Sequence, residues 1–466
     1  MSEKNQKKNQ KSEAKTPLTE VSQSMVDYVQ PVIDAITENK PAKVRKIISE
    51  LQSYEIANLI QNLNQDQRDS IIEIVRDDLD PEVLAELDDT VREEVLEKLG
   101  TEEAAAAISE LDSDDAVDVI EDLEEETKKK ILKEIPKEER VKLRASLSYP
   151  EESAGRLMQR EYVSVKKSWS VGNIMDFLRS EKKIPEDFYD IFVIDSKKKL
   201  VGSVPLSRLL KSRRTVLVSK IMETALLPVA AEMDQEEVAF LFRKRNLTSS
   251  PVINKKKELV GVITIDDVVD VIDEEAGEDI MRLGGVAEDD FYGAVMDTTK
   301  SRFRWLFLNL GTAFLASYVI SFFESTIDKV VALAILMPIV ASMGGIAGTQ
   351  TLTVAVRAIA MKELTETNAL RAVRKELIVG SVNGLLFALI TGFIAWWWFG
   401  DVIIGSIIAA AMVINLIVAA LAGAAIPLGL NRLGIDPAIA SGTFLTTITD
   451  VVGFLAFLGL AALVFL

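Results

Sequence analysis

Apolar residues recur at every twelfth position between residues 51 and 147. The repeating positions are Leu51, Leu63, Val75, Leu87, Leu99, Leu111, Leu123, Ile135 and Leu147. Residues that end or begin helices, such as Gly100 and Pro136, keep to the same frame. Two short helices in each stretch of about 24 residues can stack on the next pair. Residues 25–150 are therefore predicted to form an all-α superhelical domain.

The pattern changes after residue 158, where β-branched runs alternate with amphipathic stretches. The segment IFVIDSKKKLVG at 191–202 reappears 59 positions later as SPVINKKKELVG at 250–261. Each copy predicts a strand, a polar turn and a second strand. A helix is predicted before and after each copy. These four helices are Val171–Ser180, Leu206–Ser212, Gln235–Arg245 and Ile265–Ile272.

The last of these helices is predicted to continue without a break over Ile265–Asp297, and it is strongly acidic. Two groups of carboxylates follow helical spacing, namely Asp267, Asp270 and Glu274, and then Glu275, Glu278 and Asp279. Like charges on one helical face destabilise a helix unless a cation neutralises them. Only Arg282 is basic nearby. The pattern therefore favours a bound divalent ion.

Five apolar stretches of about 20 residues or more follow, each long enough to span a bilayer. They are Trp305–Phe323, 330–360, Leu377–Phe399, Val402–Leu430 and Gly442–Leu466. Basic residues precede the first span and lie in the connections between spans two and three and between spans four and five. In the other two connections Lys329 is the only basic residue. The positive-inside rule then predicts a cytoplasmic N-terminus and an external C-terminus.

Composition and charge narrow the function further. The 466 residues include no Cys and no His, which excludes disulfides, thiolate or imidazole metal sites and His-based catalysis. From residue 301 on there are 9 basic and 8 acidic residues. The first 300 therefore carry 44 basic and 63 acidic residues. Such an acidic half argues against nucleic acid and can attract cations. Residues 1–24 are polar and read as a disordered tail without a signal peptide.

The final span contains one ionisable side chain, Asp450, beside the hydroxyls of Thr446, Thr447 and Thr449. A carboxylate at mid-bilayer costs roughly 2.5–3.5 kcal/mol on insertion scales, so it usually has a function. An oxygen-only environment suits a hard cation such as Mg²⁺ or Ca²⁺. The alternative is a carboxylate that only pairs helices within the bundle, but apart from Arg357 near the end of the second span the apolar spans contain no basic residue.

The tandem repeat resembles a pair of CBS (cystathionine β-synthase) modules, which commonly bind adenosine nucleotides. The Thr/Ser-x-x-Asp motif of that family stands in the second copy as Thr264–Asp267 and would bind ATP; an ordinary helix cap is the alternative. The first copy departs from the motif with Pro205 and Arg208. The order of parts as a whole is similar to the MgtE family of magnesium channels and transporters. Matching stretches are 149–158 (YPEESAGRLM), 277–284 (GEDIMRLG), 338–350 (PIVASMGGIAGTQ), 434–442 and 446–450 (TTITD).

The resemblance implies a homodimer in a prokaryotic inner membrane, with a Mg²⁺ pore whose selectivity is set by Asp450. The implied pore lining is Thr446, Thr447, Gly344, Gly345 and Gly348. It also implies closure by intracellular Mg²⁺ bound at Asp234, Glu236, Asp267, Asp270, Glu275, Glu278 and Asp279. Candidate ligands from the helical domain are Asp114, Asp115 and Asp118. Ile346 replaces the Asn of typical members, which puts the detailed pore lining in question.

The sequence thus predicts a multidomain membrane protein that moves Mg²⁺ into the cytoplasm and is not an enzyme. Its parts are a tail (1–24), a superhelical domain (25–150), tandem CBS modules (151–272, copies at about 158–212 and 219–272), an acidic connecting or plug helix (273–303) and a five-helix transmembrane domain (304–466). Transport of Mn²⁺, Co²⁺ or Ca²⁺ is an alternative. A CBS-regulated membrane enzyme is a weaker one.

Overall fold

The computed structural model describes residues 28–181, 184–185, 188–286, 295–365 and 367–465. The predicted tail, residues 1–24, lies outside this range. The chain divides into two compact units, residues 1–272 and 273–466.

The described part of the first unit begins with ten short helices, whose apolar faces share one core running from Val32 to Leu143. Six of the nine positions of the 12-residue pattern are buried in this core, and Leu51, Leu111 and Leu147 pack against it. The superhelical prediction is confirmed. The helices are α1 Val29–Thr37, α2 Pro41–Ile48, α3 Ser53–Gln61, α4 Gln65–Val75, α5 Glu82–Ala85, α6 Asp89–Leu99, α7 Thr101–Glu110, α8 Asp115–Glu121, α9 Glu125–Glu134 and α10 Lys137–Ser146.

The two repeat copies form two three-stranded sheets of the same topology, in which the first strand is parallel to the second and the third is antiparallel. Their elements, after the short helix α11 Ala154–Leu157, are β1 Ser164–Lys166, α12 Val171–Ser180, β2 Asp190–Ile194, β3 Leu200–Pro205 and α13 Leu206–Lys211, then β4 Val229–Ala230, α14 Gln235–Arg245, β5 Ser249–Ile253 and β6 Leu259–Thr264.

Equivalent residues of the two copies meet each other. Ser249 Oγ donates to Asp190 Oδ2 at 2.8 Å, and Lys199 forms a bridge with Glu258. The members of each pair are 59 positions apart, which is the repeat length read from the sequence. The two copies are therefore related by an approximate two-fold axis.

A 20-residue helix, α15 Ile265–Gly284, continues from the last strand. The prediction of an unbroken helix over Ile265–Asp297 is wrong. Gly285 adopts φ +69°, and the N–H of Val286 donates to the carbonyl of Met281 at 3.0 Å, so the helix ends in a Schellman motif. Residues 287–294 of the predicted connecting helix lie outside the described residues.

Within its described residues, the second unit contains five helices that are long and apolar enough to span a membrane. These helices are α16 Val295–Ser321, α18 Ala332–Ala360, α19 Ala369–Phe399, α20 Val402–Arg432 and α21 Pro437–Phe465, with a short helix α17 Glu324–Lys329 after the first. The five predicted spans are confirmed, but α19 begins eight residues earlier than predicted and therefore includes Glu376. The side chains of α20 are the most buried of the five.

Candidate cation sites

Asp450 lies in the middle of α21 and is half-buried. It makes no hydrogen bond or ion pair with any described residue of its own chain. Thr446, one helical turn earlier, is exposed on the same side of the helix. A carboxylate at mid-span with free ligand positions can attract a cation, because it has no internal partner to neutralise it.

The threonine hydroxyls of α21 donate their protons to the backbone of their own helix. Thr446 Oγ1 donates to Gly442 O at 3.0 Å, and Thr447 Oγ1 donates to Thr443 O at 2.7 Å. A hydroxyl keeps its oxygen lone pairs when its proton is used in this way. Thr446 and Thr447 can therefore present oxygen to a hydrated ion. Thr449, whose hydroxyl donates to Thr446 O, is fully buried.

The three glycines predicted to line a pore have different surroundings in α18. A methyl group at Gly344 would lie 2.2 Å from the side-chain nitrogen of Asn415, and one at Gly348 would lie 2.8 Å from Leu445. These two glycines pack against neighbouring helices. Gly345 has no heavy atom near the position of a Cβ, and Ile346 beside it is exposed. Of the three, only Gly345 has the open side that a lining residue needs.

The first unit brings carboxylates of the helical domain next to those of the second CBS copy. Asp114, before α8, is buried, and within the described part of the chain neither of its carboxylate oxygens has a hydrogen-bond partner. Burial and then the charge of Asp267 raise the pKa of Asp114 well above its ordinary value. The same two causes raise the pKa of Asp115 to about 7. Burial raises the pKa of Asp267 to about 6. These three residues are named here the acidic interface.

Glu86, at the same boundary, is a candidate that the sequence did not reveal. Burial and the charge of Asp270 raise the pKa of Glu86, which follows α5 in the helical domain. The charge of Glu86 also contributes to the raised pKa of Asp115. No local signal distinguishes Glu86 from the many other acidic residues of the domain, because only folding brings it to Asp270.

Asp118, one of the predicted ligands, is engaged by an internal cation instead. The guanidinium of Arg92 is buried and lies 2.9 Å from Asp118, 3.3 Å from Asp89 and 3.5 Å from Asp122. It also donates to the carbonyl of Leu87 at 2.9 Å. Burial and the charges of Asp89 and Asp118 raise the pKa of Asp122 to about 7, although Arg92 opposes this. Arg92 therefore supplies here the positive charge that a metal would supply elsewhere.

Thr264 and Asp267 form a helix cap at the start of α15. Asp267 Oδ2 accepts from the hydroxyl of Thr264 at 2.8 Å and from its N–H at 3.3 Å. Thr264 also lines a cavity of about 20 Å³ between the two CBS copies, together with Tyr162, Phe192 and residues from both copies. Ligand pockets usually measure roughly 300–1,000 Å³, so this cleft has to widen before it can hold a nucleotide.

The end of α15 contacts the start of α21 within the second unit. Arg282 forms an ion pair with the buried carboxylate of Glu278 and donates to Asp436 Oδ2 at 2.9 Å. Asp436 also accepts from the N–H of Ala438 at 2.8 Å and so caps α21. Burial and the charge of Asp436 raise the pKa of Asp279. Glu275, one turn earlier, is half-buried.

The remaining predicted ligands lie at the start of α14. Asp234 caps this helix by accepting from the N–H of Glu236 at 3.0 Å. No group of three or more acidic side chains with metal-binding geometry occurs within the described residues. The acidic interface nevertheless fits a divalent ion chemically, because both buried carboxylate oxygens of Asp114 lack a hydrogen-bond partner among the described residues.

Comparisons with known proteins agree with this arrangement of domains. Residues 337–460 match the family described as MgtE, divalent cation transporter. Residues 51–152 match the MgtE intracellular N domain, and residues 154–214 and 218–274 each match the CBS domain.

The chain is also similar to complete proteins. The magnesium transporter MgtE of Thermus thermophilus is 35% identical over 326 residues, which cover 69% of this chain and 72% of that protein. Magnesium transporter MgtE of Bacillus subtilis is 32% identical over 316 residues, or 68% and 70% of the two chains. Among solved structures, the cytosolic domain of the Mg²⁺ channel MgtE in complex with ATP has 28% identity and a TM-score of 0.49, covering 52% of this chain and 99% of that chain.

Proposed function

This chain belongs to the MgtE family of divalent cation transporters, and from that premise we propose that it moves Mg²⁺ across the membrane into the cytoplasm. The observation that carries the proposal is Asp450, a mid-span carboxylate without a partner among the described residues. Membership of a transporter family favours transport over the alternative of a membrane enzyme.

The proposed pore lies on the two-fold axis of a homodimer. Two Asp450 carboxylates that face each other in a medium of low dielectric constant repel unless a dication lies between them. Mg²⁺ loses its water reluctantly and requires octahedral geometry. We therefore infer that the aspartates bind the ion through retained water, with Thr446 and Thr447 accepting hydrogen bonds from that water.

The test is Mg²⁺ flux into liposomes that contain the purified protein and little internal Mg²⁺. Asp450→Asn should abolish selective flux, because the amide removes the charge that attracts the ion. Asp401→Asn is the matched control: Asp401 caps α20, and Asn caps a helix equally well. Normal Mg²⁺ flux in Asp450→Asn would refute the pore assignment. Competition by Mn²⁺, Co²⁺ and Ca²⁺ in the same assay distinguishes the alternative cations.

We further propose that cytosolic Mg²⁺ closes the pathway by binding at the acidic residues of the soluble domains and of α15. The unpartnered oxygens of Asp114 and the charges of Asp115 and Asp267 support this role for the acidic interface. Glu86 and Asp270 extend the negative surface. Closure requires that the closed conformation bind Mg²⁺ more tightly than the open one. Asp234, Glu236, Glu275, Glu278 and Asp279 complete the proposed ligand set.

The proposed location is the cell membrane, with the soluble domains in the cytoplasm and the C-terminus outside. The basic residues around Arg302, Arg374 and Arg432 support this orientation, since all of them fall on the side that the positive-inside rule assigns to the cytoplasm. Single-cysteine labelling at Lys329 and at Arg432 tests it. Labelling of Arg432→Cys from outside intact cells would contradict the orientation.

ATP is a proposed ligand of the CBS cleft, held through Thr264 and Asp267. The cleft then has to widen from its present volume of about 20 Å³. Thr264→Val removes the hydroxyl that donates to Asp267 and should weaken binding of labelled ATP in equilibrium dialysis. Equal binding by the variant and the parent protein would remove Thr264 from the proposed site.

A further inference from the structure

Asn415 is a fully buried polar residue in the middle of α20, the fourth membrane-spanning helix. Its side-chain nitrogen donates to the carbonyl of Val340 in α18 at 2.8 Å. Its side-chain oxygen has no hydrogen-bond partner among the residues that the structure describes. A polar group buried among apolar helices is costly to retain, so its position calls for a functional reason.

Two glycines on two different helices make room for this side chain. A methyl group at Gly344 of α18 would lie 2.2 Å from its nitrogen, and a methyl group at Gly453 of α21 would lie 2.8 Å from the same atom. Both distances are shorter than non-bonded atoms tolerate. Small residues allow helices in membranes to approach closely, and here the space is filled by one amide from a third helix.

The contact lies beside the candidate pore residues. Gly453 follows Asp450 by three positions on α21, and Gly344 precedes Gly345, which has open space around it. The two helices that carry the candidate pore residues therefore both pack against Asn415. A change in the shape of this side chain would rotate or displace one helix relative to the other.

We propose that Asn415 is a positioning residue for transport, which sets the rotation of the Asp450 helix against the glycine-rich helix α18. This inference rests on the proposed function. The inference goes beyond the proposed function, because Asn415 touches no candidate ligand. Its amide packs against Gly344 and Gly453 and acts through these glycines. Displacing a reacting group by about 1 Å can change a rate by roughly 100-fold, so the effect on transport can be large.

A double variant tests the contact between Asn415 and Gly344, because the second substitution should suppress the defect that the first one causes. Gly344→Ala introduces a methyl group against the amide of Asn415 and should lower Mg²⁺ flux into liposomes by roughly 10–100-fold. Adding Asn415→Ala removes the clashing atoms and should restore most of that flux. Gly311→Ala, in α16, is the matched control, because no heavy atom lies within 4 Å of its Cβ position.

Selectivity separates positioning from mere packing. Asn415→Ala alone should change the ratio of Mg²⁺ flux to Ca²⁺ flux per reconstituted protein, since the Asp450 helix is no longer held in register. Loss of packing alone would reduce the amount of active protein and leave this ratio unchanged. Size-exclusion chromatography in detergent selects folded protein of each variant before reconstitution.

The possible results decide between the proposals. Suppression of Gly344→Ala by Asn415→Ala, with a changed flux ratio in the single Asn415 variant, supports the positioning role. The positioning role is overturned if the wild-type protein transports Mg²⁺ but Asn415→Ala does not restore the flux of Gly344→Ala. It is also overturned if Asn415→Ala alone leaves the ratio of Mg²⁺ flux to Ca²⁺ flux unchanged. A wild-type protein that carries no Mg²⁺ overturns the proposed function itself, which is a different outcome.

Discussion

The acidic interface makes a quantitative prediction about pH and Mg²⁺. Burial and neighbouring charge raise the pKa of Asp115 from its ordinary 3.8 to about 7, and burial raises that of Asp267 to about 6. Each shift corresponds to a cost of about 3–4 kcal/mol for the ionised form in the folded protein. Because the two carboxylates repel each other, part of this cost is shared and the total is smaller than the sum.

The sign of the pH dependence follows from these values. Between pH 3.8 and about 7 the folded protein binds more protons at these residues than the unfolded chain does. The free energy of unfolding should therefore fall as the pH rises through this range in the absence of metal. Mg²⁺ binds the ionised form, so it should stabilise the protein strongly at pH 8 and weakly at pH 5.

The assay is thermal unfolding of the purified full-length protein in detergent, at both pH values, with and without Mg²⁺. At a Mg²⁺ concentration a hundredfold above its Kd, stabilisation is about 2.7 kcal/mol. For a soluble region as large as the first unit, residues 1–272, this stabilisation corresponds to a rise in Tm of roughly 5–10 °C. The double variant Asp115→Asn, Asp267→Asn should lose most of the rise in Tm and the part of the pH dependence that these two residues cause, whereas Asp114 and Asp122 keep their own contributions.

Glu102→Gln with Glu110→Gln is the matched control, since both residues are exposed on α7 of the same domain. An equal rise in Tm at pH 5 and pH 8 would refute the reasoning. So would a double variant at the acidic interface that still gains the full rise at pH 8.

Two clusters of ion pairs, around Arg282 and around Arg92, give further predictions. Arg282→Gln removes the guanidinium shared by Glu278 and Asp436, and a partly buried pair of this kind is worth about 1–3 kcal/mol. If the conformation in which α15 contacts α21 is the closed one, the variant should need at least about fivefold more internal Mg²⁺ to reduce the Mg²⁺ flux by half. An unchanged or lower Mg²⁺ requirement would contradict this. Arg92→Met should lower the free energy of unfolding of the helical domain by about 1.5–3 kcal/mol, because three half-exposed carboxylates lose their shared buried partner. The exposed Arg45, 3.8 Å from Asp78, is the control, and Arg45→Met should cost about 0–1 kcal/mol in denaturant unfolding. Equal losses for the two arginines would show that the Arg92 cluster contributes no more than a surface pair.

The connecting helix shows where local pattern reasoning reached its limit. The periodic carboxylates end at Asp279, and nothing in their spacing marks the residue at which the helix stops. The helix ends because Gly285 can adopt a left-handed conformation at low cost and Val286 then closes the last turn. A Gly-Gly pair at 284–285 was a readable stop signal that the acidic pattern concealed.

The candidate ligands show a second limit. Asp114, Asp115 and Asp118 are almost adjacent in the sequence, yet the first two face Asp267 and the third pairs with Arg92. The three lie on one side of the start of α8, with Asp118 about one turn further along the helix than the other two. Which of them meets a carboxylate and which meets a guanidinium depends on helices that are distant in the sequence.

The sequence by itself determined the parts of this protein: the 12-residue helical period, the 59-residue repeat, the five apolar spans and the single mid-span aspartate of the last one. These features are local, since periodicity and hydropathy follow from which face of an element must be buried. The tertiary structure decided which side chains meet. It brought Asp114 to Asp267 across about 150 residues of chain, gave Asp118 to Arg92, and placed the amide of Asn415 between Gly344 and Gly453. Contacts of this kind depend on how packed helices fit in three dimensions, and no spacing along the chain encodes that fit.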